Sequence, residues 1–125
     1  MPELPPIVTK AYDFTQWLLP RVQDFPRSSR FILGDRLIAT MLDILEGLVE
    51  ASHRRDKRAV LEEVSAKLDR LRMLIRLSKD LKLLNLKRYE HAAEAVTELG
   101  AMLGGWLKQQ RDHVGSLYDT PRPTV

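Results

Sequence analysis

Apolar residues recur along this chain with the period of an amphipathic helix in four successive stretches. In the first, about Val8 to Asp24, the residues Ala11, Phe14, Leu18, Val22 and Phe25 share one stripe. Pro20 falls inside it and removes the bond from its own nitrogen to the carbonyl of Gln16, which predicts a kink or an early end; the stripe resumes beyond it and favours the kink. Phe25-Pro26-Arg27-Ser28-Ser29 reads as a turn, with a hydroxyl of Ser28 or Ser29 available to cap the next helix. That second helix, about Ser29 to Ser52, is expected to turn Phe31, Ile38, Met41, Leu42, Leu45, Leu48 and Val49 toward a core. Gly34 and Gly47 lie within it, each about 1 kcal/mol less favourable than alanine, which a close neighbour would offset.

The third stretch follows Ser52-His53-Arg54-Arg55-Asp56, with Asp56 as the expected N-cap, and its stripe is Leu61, Val64, Leu68, Leu71 and Ile75. The pattern fades through Asp80-Leu81-Lys82-Leu83-Leu84, and Asn85 is the expected cap of a fourth helix, about Leu86 to Arg111, presenting Tyr89, Ala92, Ala93, Val96, Leu99, Gly100, Leu103, Trp106 and Leu107. After Asp112 periodicity is lost. The reading is an all-α chain, an up-down-up-down four-helix bundle over residues 1–112 with a mobile tail at 113–125. Prolines are confined to positions 2, 5, 6, 20, 26, 121 and 123, and no Asn-Gly or Asp-Gly hairpin turn suggests a sheet.

With 125 residues there is room for one domain, and 44% hydrophobic against 30% charged residues is the balance of a folded protein. No cysteine is present, which removes disulfides, thiolate metal sites and cysteine nucleophiles and agrees with a cytoplasmic location. The opening residues lack a basic segment and an apolar run, so no signal peptide is expected, and no apolar run suggests membrane insertion.

Catalytic and cofactor signatures are missing. There is no phosphate-binding glycine loop, no nucleophile elbow and no dinucleotide fingerprint, and His91 and His113 have no paired carboxylate or hydroxyl within reach on one face. Glu50-x-x-His53 is half of the ferritin-like motif pair without its second copy, beside Arg54 and Arg55, so no metal is expected. The chain reads as a non-enzyme without a cofactor. Gly100 and Gly104, one turn apart, open a face for another helix; packing within the chain and a contact between subunits, with Trp106 filling a pocket beside it, both fit.

Charge is segregated. The net charge is only +3, yet Arg54 to Arg88 holds twelve Lys/Arg against five Asp/Glu. Arg54, Arg55, Lys57 and Arg58 cluster ahead of the third helix, and Arg72, Arg76 and Lys79 lie along one of its faces, while Lys67, Arg70 and Lys82 point elsewhere. A solvated surface would pair these weakly with Glu62, Glu63 and Asp69. An acidic protein would also satisfy them. The surplus favours nucleic acid, bound through phosphates with little sequence preference because no base-reading motif is present. That reading requires Arg72 and Arg76 to face outward without carboxylate partners of their own.

Taken together, Tyr12-Asp13-Phe14, Trp17-Leu18-Leu19-Pro20, Phe25-Pro26-Arg27, Leu71-Arg72-x-x-x-Arg76, Tyr89-Glu90-His91-Ala92 and Leu103-Gly104-Gly105-Trp106-Leu107 resemble the accessory variability determinant of diversity-generating retroelements, over about Ala11 to Leu107. The resemblance implies a homopentameric barrel of four-helix bundles. It also implies binding to nucleic acid and to the element's reverse transcriptase, in support of template-primed, error-prone cDNA synthesis. Arg72 and Arg76 match the arginine pair of that family's Leu-Arg-x-x-x-Arg motif, whose basic face is implicated in binding polymerase and nucleic acid; Arg54, Arg55, Lys57 and Arg58 rest on charge alone. The alternative is a protein similar to those of intervening sequences in 23S ribosomal RNA genes, a structural or interaction module of the same four-helix superfamily.

Overall fold

The computed structural model describes residues 4–119, with side chains through residue 112. Helix α1 is Pro6–Gln23, opened by prolines whose missing N–H groups have no carbonyl to serve at a helix start. It runs through Pro20 without ending there, and both Pro20 and Gln16, whose carbonyl the proline leaves unserved, are exposed to water.

Helix α2 comprises Arg27–Ser29, a π-helical turn Arg30–Gly34 and Asp35–His53. Pro26, not Ser28 or Ser29, occupies its N-cap, and neither serine caps it. The π-turn inserts an extra residue and shifts the helical phase. Leu33, Leu37, Met41, Ile44, Leu48 and Ala51 are buried, whereas Phe31, inside the turn, is 61% exposed and Leu42, beside buried Met41 in the regular helix, is 39% exposed, against the expectation that both face the core. Ile38, Leu45 and Val49 pack against the core from its edge. The two glycines lie where neighbours press in: a Cβ on Gly34 would stand 2.7 Å from Cγ1 of Val22, and one on Gly47 2.6 Å from Cγ2 of Val64.

Helix α3, Arg58–Asp80, buries the expected Leu61, Val64, Leu68, Leu71 and Ile75. Its N-cap is Lys57, and Asp56 accepts a 3.3 Å bond from the Arg58 N–H from one residue further out. Its end closes with Lys82 at φ 62°, Leu83 N–H bonding back to the Ser78 carbonyl at 2.8 Å and Lys82 N–H to that of Lys79 at 2.9 Å. This is a Schellman stop with lysine where glycine is usual. Helix α4 is Leu86–Asp119, and Oδ1 of Asn85 accepts the Arg88 N–H at 2.8 Å, as a capping residue should. The helix passes the boundary expected at 112, with residues 113–119 helical, and the remainder of the expected tail lies outside the described residues.

Among the described residues there are four helices and no strand. Each packs on its neighbour in sequence and α4 returns to α1, the cyclic order of an up-down-up-down bundle. No described helix is long and apolar enough to cross a membrane.

Candidate nucleic-acid interface

The cluster ahead of α3 is built by the break between α2 and α3. Arg54 takes extended backbone and ends α2. Lys57 is turned inward: its ammonium donates to the carbonyls of Ala51, at 2.6 Å, and of Arg54, and lies 5.8 Å from the centroid of the Trp106 ring. It serves the open carbonyls at the end of α2, which removes it from the set of free cations. Arg54 pairs with Glu50 and Arg58 with Glu62, both at 3.0 Å, so Glu50 of the Glu-x-x-His half-motif is already engaged. Among the described residues no group of three His, Asp or Glu could hold a metal ion. Arg55 has no carboxylate partner among them.

The face carrying Arg72, Arg76 and Lys79 differs from the expectation of unpartnered cations. Arg72 Nη1 donates to Oδ1 of Asp69 at 2.7 Å, and Arg76 Nε stands 3.9 Å from Oδ2 of Asp80. Both pairs lie within one helix at i,i+3 or i,i+4 and are largely exposed, a class worth about 0 to 1 kcal/mol. The count of five carboxylates already includes these two. Lys67 and Arg88 reach further, to Asp43 of α2 at 3.7 Å and to Asp24 beyond α1 at 3.2 Å. With Asp24, Asp43 and Glu50 added, twelve cations face eight carboxylates. The positive surplus is smaller than the chain order suggests and does not vanish. Lys79, without a carboxylate, stands 4.8 Å from the centroid of the Tyr89 ring.

These side chains surround more than a charged surface. Between α3 and α4 runs a groove of about 350 Å³ with Ile75, Tyr89, Ala93 and Val96 on its walls and Asp69, Arg72, Met73 and Arg76 around it. Met73 is 69% exposed beside it. Arg72 lies across Gly100 of α4, whose missing Cβ leaves the space that its guanidinium fills. Gly100 thus packs within the chain, but against an arginine. At Gly104 and Gly105 nothing among the described residues comes within 4 Å of a would-be Cβ, so packing among them does not account for these glycines.

One feature at the other side of α4 has no counterpart in the sequence reading: Trp17 of α1 stacks on His91 of α4, with ring centroids 4.3 Å apart. The two residues are far apart in sequence, and no local spacing signals their meeting.

A family model described as bAvd-like matches residues 6–110, which covers α1 to α3 and most of α4. No curated protein and no solved structure gives a match.

Proposed function

Since the chain belongs to the bAvd-like family, we propose that it is the accessory protein of a diversity-generating retroelement, a non-enzymatic partner that binds the element's reverse transcriptase and nucleic acid and so supports mutagenic cDNA synthesis. The observation that carries the reading is the family match over all four helices, with Arg72 and Arg76 at the edge of the α3–α4 groove inside it.

The groove suits polypeptide better than bare phosphate. Met73, 69% exposed, and half-buried Tyr89 offer apolar surface above the buried Ile75 and Val96 that a phosphate chain gains nothing from covering, while an amphipathic segment buries it and pairs its carboxylates with Arg72 and Arg76. Asp69 and Asp80 are exposed partners that such a segment can displace at small expense. The polymerase is therefore assigned to this groove. Nucleic acid is assigned to Arg55, Lys79, Arg70 and Lys82, which have no carboxylate partner among the described residues, with Arg54 and Arg58 near Arg55 at the start of α3. Single contacts of this kind are weak. A homopentamer, with the open face at Gly104 and Gly105 and the half-buried Trp106 between subunits, gathers five such surfaces and replaces sequence reading by avidity.

Two measurements test this. Co-expressed reverse transcriptase should purify with the wild-type protein and separate from Arg72→Ala with Arg76→Ala, whose helicity stays intact; retention by the double variant removes the groove from the polymerase interface. Light scattering should give five times the chain's 14.4 kDa, and a monomer mass contradicts the assembly.

A further inference from the structure

On the side of the bundle away from the α3–α4 groove, α1 and α4 enclose a cleft of about 240 Å³ lined by Trp17, Arg21, Asn85, Lys87, Arg88 and His91. We propose that this cleft holds one unpaired nucleotide of a single strand, its phosphate between Arg21 and Lys87 and its base against the outer face of the His91 imidazole; this rests on the nucleic-acid half of the function proposed above.

The cations here differ from Arg72 and Arg76 of α3. Neither Arg21 nor Lys87 is in an ion pair among the described residues, and Arg88 alone is engaged, with Asp24 at 3.2 Å. Arg21 is also held in place. Its guanidinium lies 5.0 Å from the centroid of the Trp17 ring and its Nη1 donates to the Trp17 carbonyl at 3.4 Å, while its Nε is buried with no acceptor. A buried donor without a partner is unfavourable, and the guanidinium that carries it lines the cleft that an anionic oxygen would enter.

The aromatic part is a short stack that ends in solvent. Phe14 and Trp17 lie 5.8 Å apart at 16°, and Trp17 and His91 4.3 Å apart at 27°. Phe14 is buried, Trp17 half-buried and His91 exposed, so the imidazole presents its far face to water as a ready platform. Bases of a single strand stack on such platforms without sequence preference, whereas bases in a duplex are already stacked and paired. A second cleft shares Trp17 and His91 with the first and is edged by Asp13 and by Glu98, which pairs with Lys10 at 3.1 Å. Lys10 offsets one of its two carboxylates, so this cleft stays less favourable to phosphate than the cationic first cleft, and Asp13 can accept from an exocyclic amine of a base. The ring pair therefore separates a phosphate side from a base side and orients the nucleotide.

The test uses the whole protein and labelled oligonucleotides followed by fluorescence anisotropy. His91 and Lys87 are both exposed, so their variants keep the fold, which circular dichroism checks. His91→Ala should weaken single-strand binding about fivefold or more, the scale of one lost stack, and leave duplex affinity within about twofold. His91→Phe should keep the single-strand affinity. Lys87→Ala should weaken single-strand binding and lower its salt slope by about one phosphate. Should His91→Ala and Lys87→Ala bind the single strand as tightly as wild type, the cleft is not a nucleotide site and nucleic-acid binding elsewhere stands. Wild-type protein that binds neither strand nor duplex overturns the nucleic-acid reading and this proposal with it.

Discussion

Gly100→Ala is a substitution whose stability and binding effects should diverge. The new Cβ meets the guanidinium of Arg72, the far end of a flexible side chain, and stands 3.7 Å from Cδ2 of Leu68, an ordinary contact. Arg72 can swing out, at the loss of its 2.7 Å pair with Asp69, in which the two side chains are 44% and 70% exposed; screening by water limits that loss to about 1 kcal/mol at most. Alanine in a helix interior is about 1 kcal/mol better than glycine. The net expectation runs from no change to about 1 kcal/mol of added stability, a rise in Tm of up to about 4 °C for a domain of this size. At Gly47 the neighbour is Cγ2 of buried Val64 at 2.6 Å, a short branched side chain with far less freedom to move aside than an arginine. Overpacking there costs about 1 to 3 kcal/mol, enough to cancel the propensity gain or exceed it. Thermal melts followed by circular dichroism compare the two variants, and reverse-transcriptase retention is measured on the same samples. Gly100→Ala should be at least as stable as wild type yet bind polymerase more weakly, because Arg72 has left its place. A destabilisation by Gly100→Ala beyond about 1 kcal/mol would refute the freedom of Arg72 to swing aside, and unchanged polymerase retention would refute its place in the interface.

Three other outcomes are expected. Lys82→Gly should stabilise the protein by about 1 kcal/mol in urea unfolding, because it relieves a left-handed conformation that a side chain disfavours. Met41→Ala, at a side chain with no exposed surface, should lower unfolding free energy by about 2 to 5 kcal/mol in the same assay. Arg55→Ala with Lys79→Ala should flatten the salt dependence of duplex binding by about two phosphates, read by anisotropy across a salt series.

Where periodicity was undisturbed, the sequence was enough to place the core. Leu61, Val64, Leu68, Leu71 and Ile75 are buried as their spacing requires, because nothing alters the 3.6-residue repeat of α3. Phe31 lies within the π-turn, and a pattern that assumes constant pitch assigns it to the wrong face. The same division runs through the charges. Partners at i,i+3 and i,i+4, such as Asp69 for Arg72 and Glu62 for Arg58, were readable from spacing. Asp43 for Lys67 and Asp24 for Arg88 come from other elements and depend on the register of packed helices. Lys57 shows a third case: a lysine turned inward to serve the end of α2 is indistinguishable in sequence from one facing solvent. The apolar walls of the α3–α4 groove and the Trp17–His91 stack likewise exist only once two helices meet.

The most direct test is a reconstituted reaction containing the element's reverse transcriptase and template RNA, with cDNA length and substitution frequency read by sequencing. Added wild-type protein should be required for long, template-primed, substituted cDNA, and protein carrying Arg72→Ala and Arg76→Ala should fail to supply it. Equal yield and substitution frequency without the protein would contradict the accessory role.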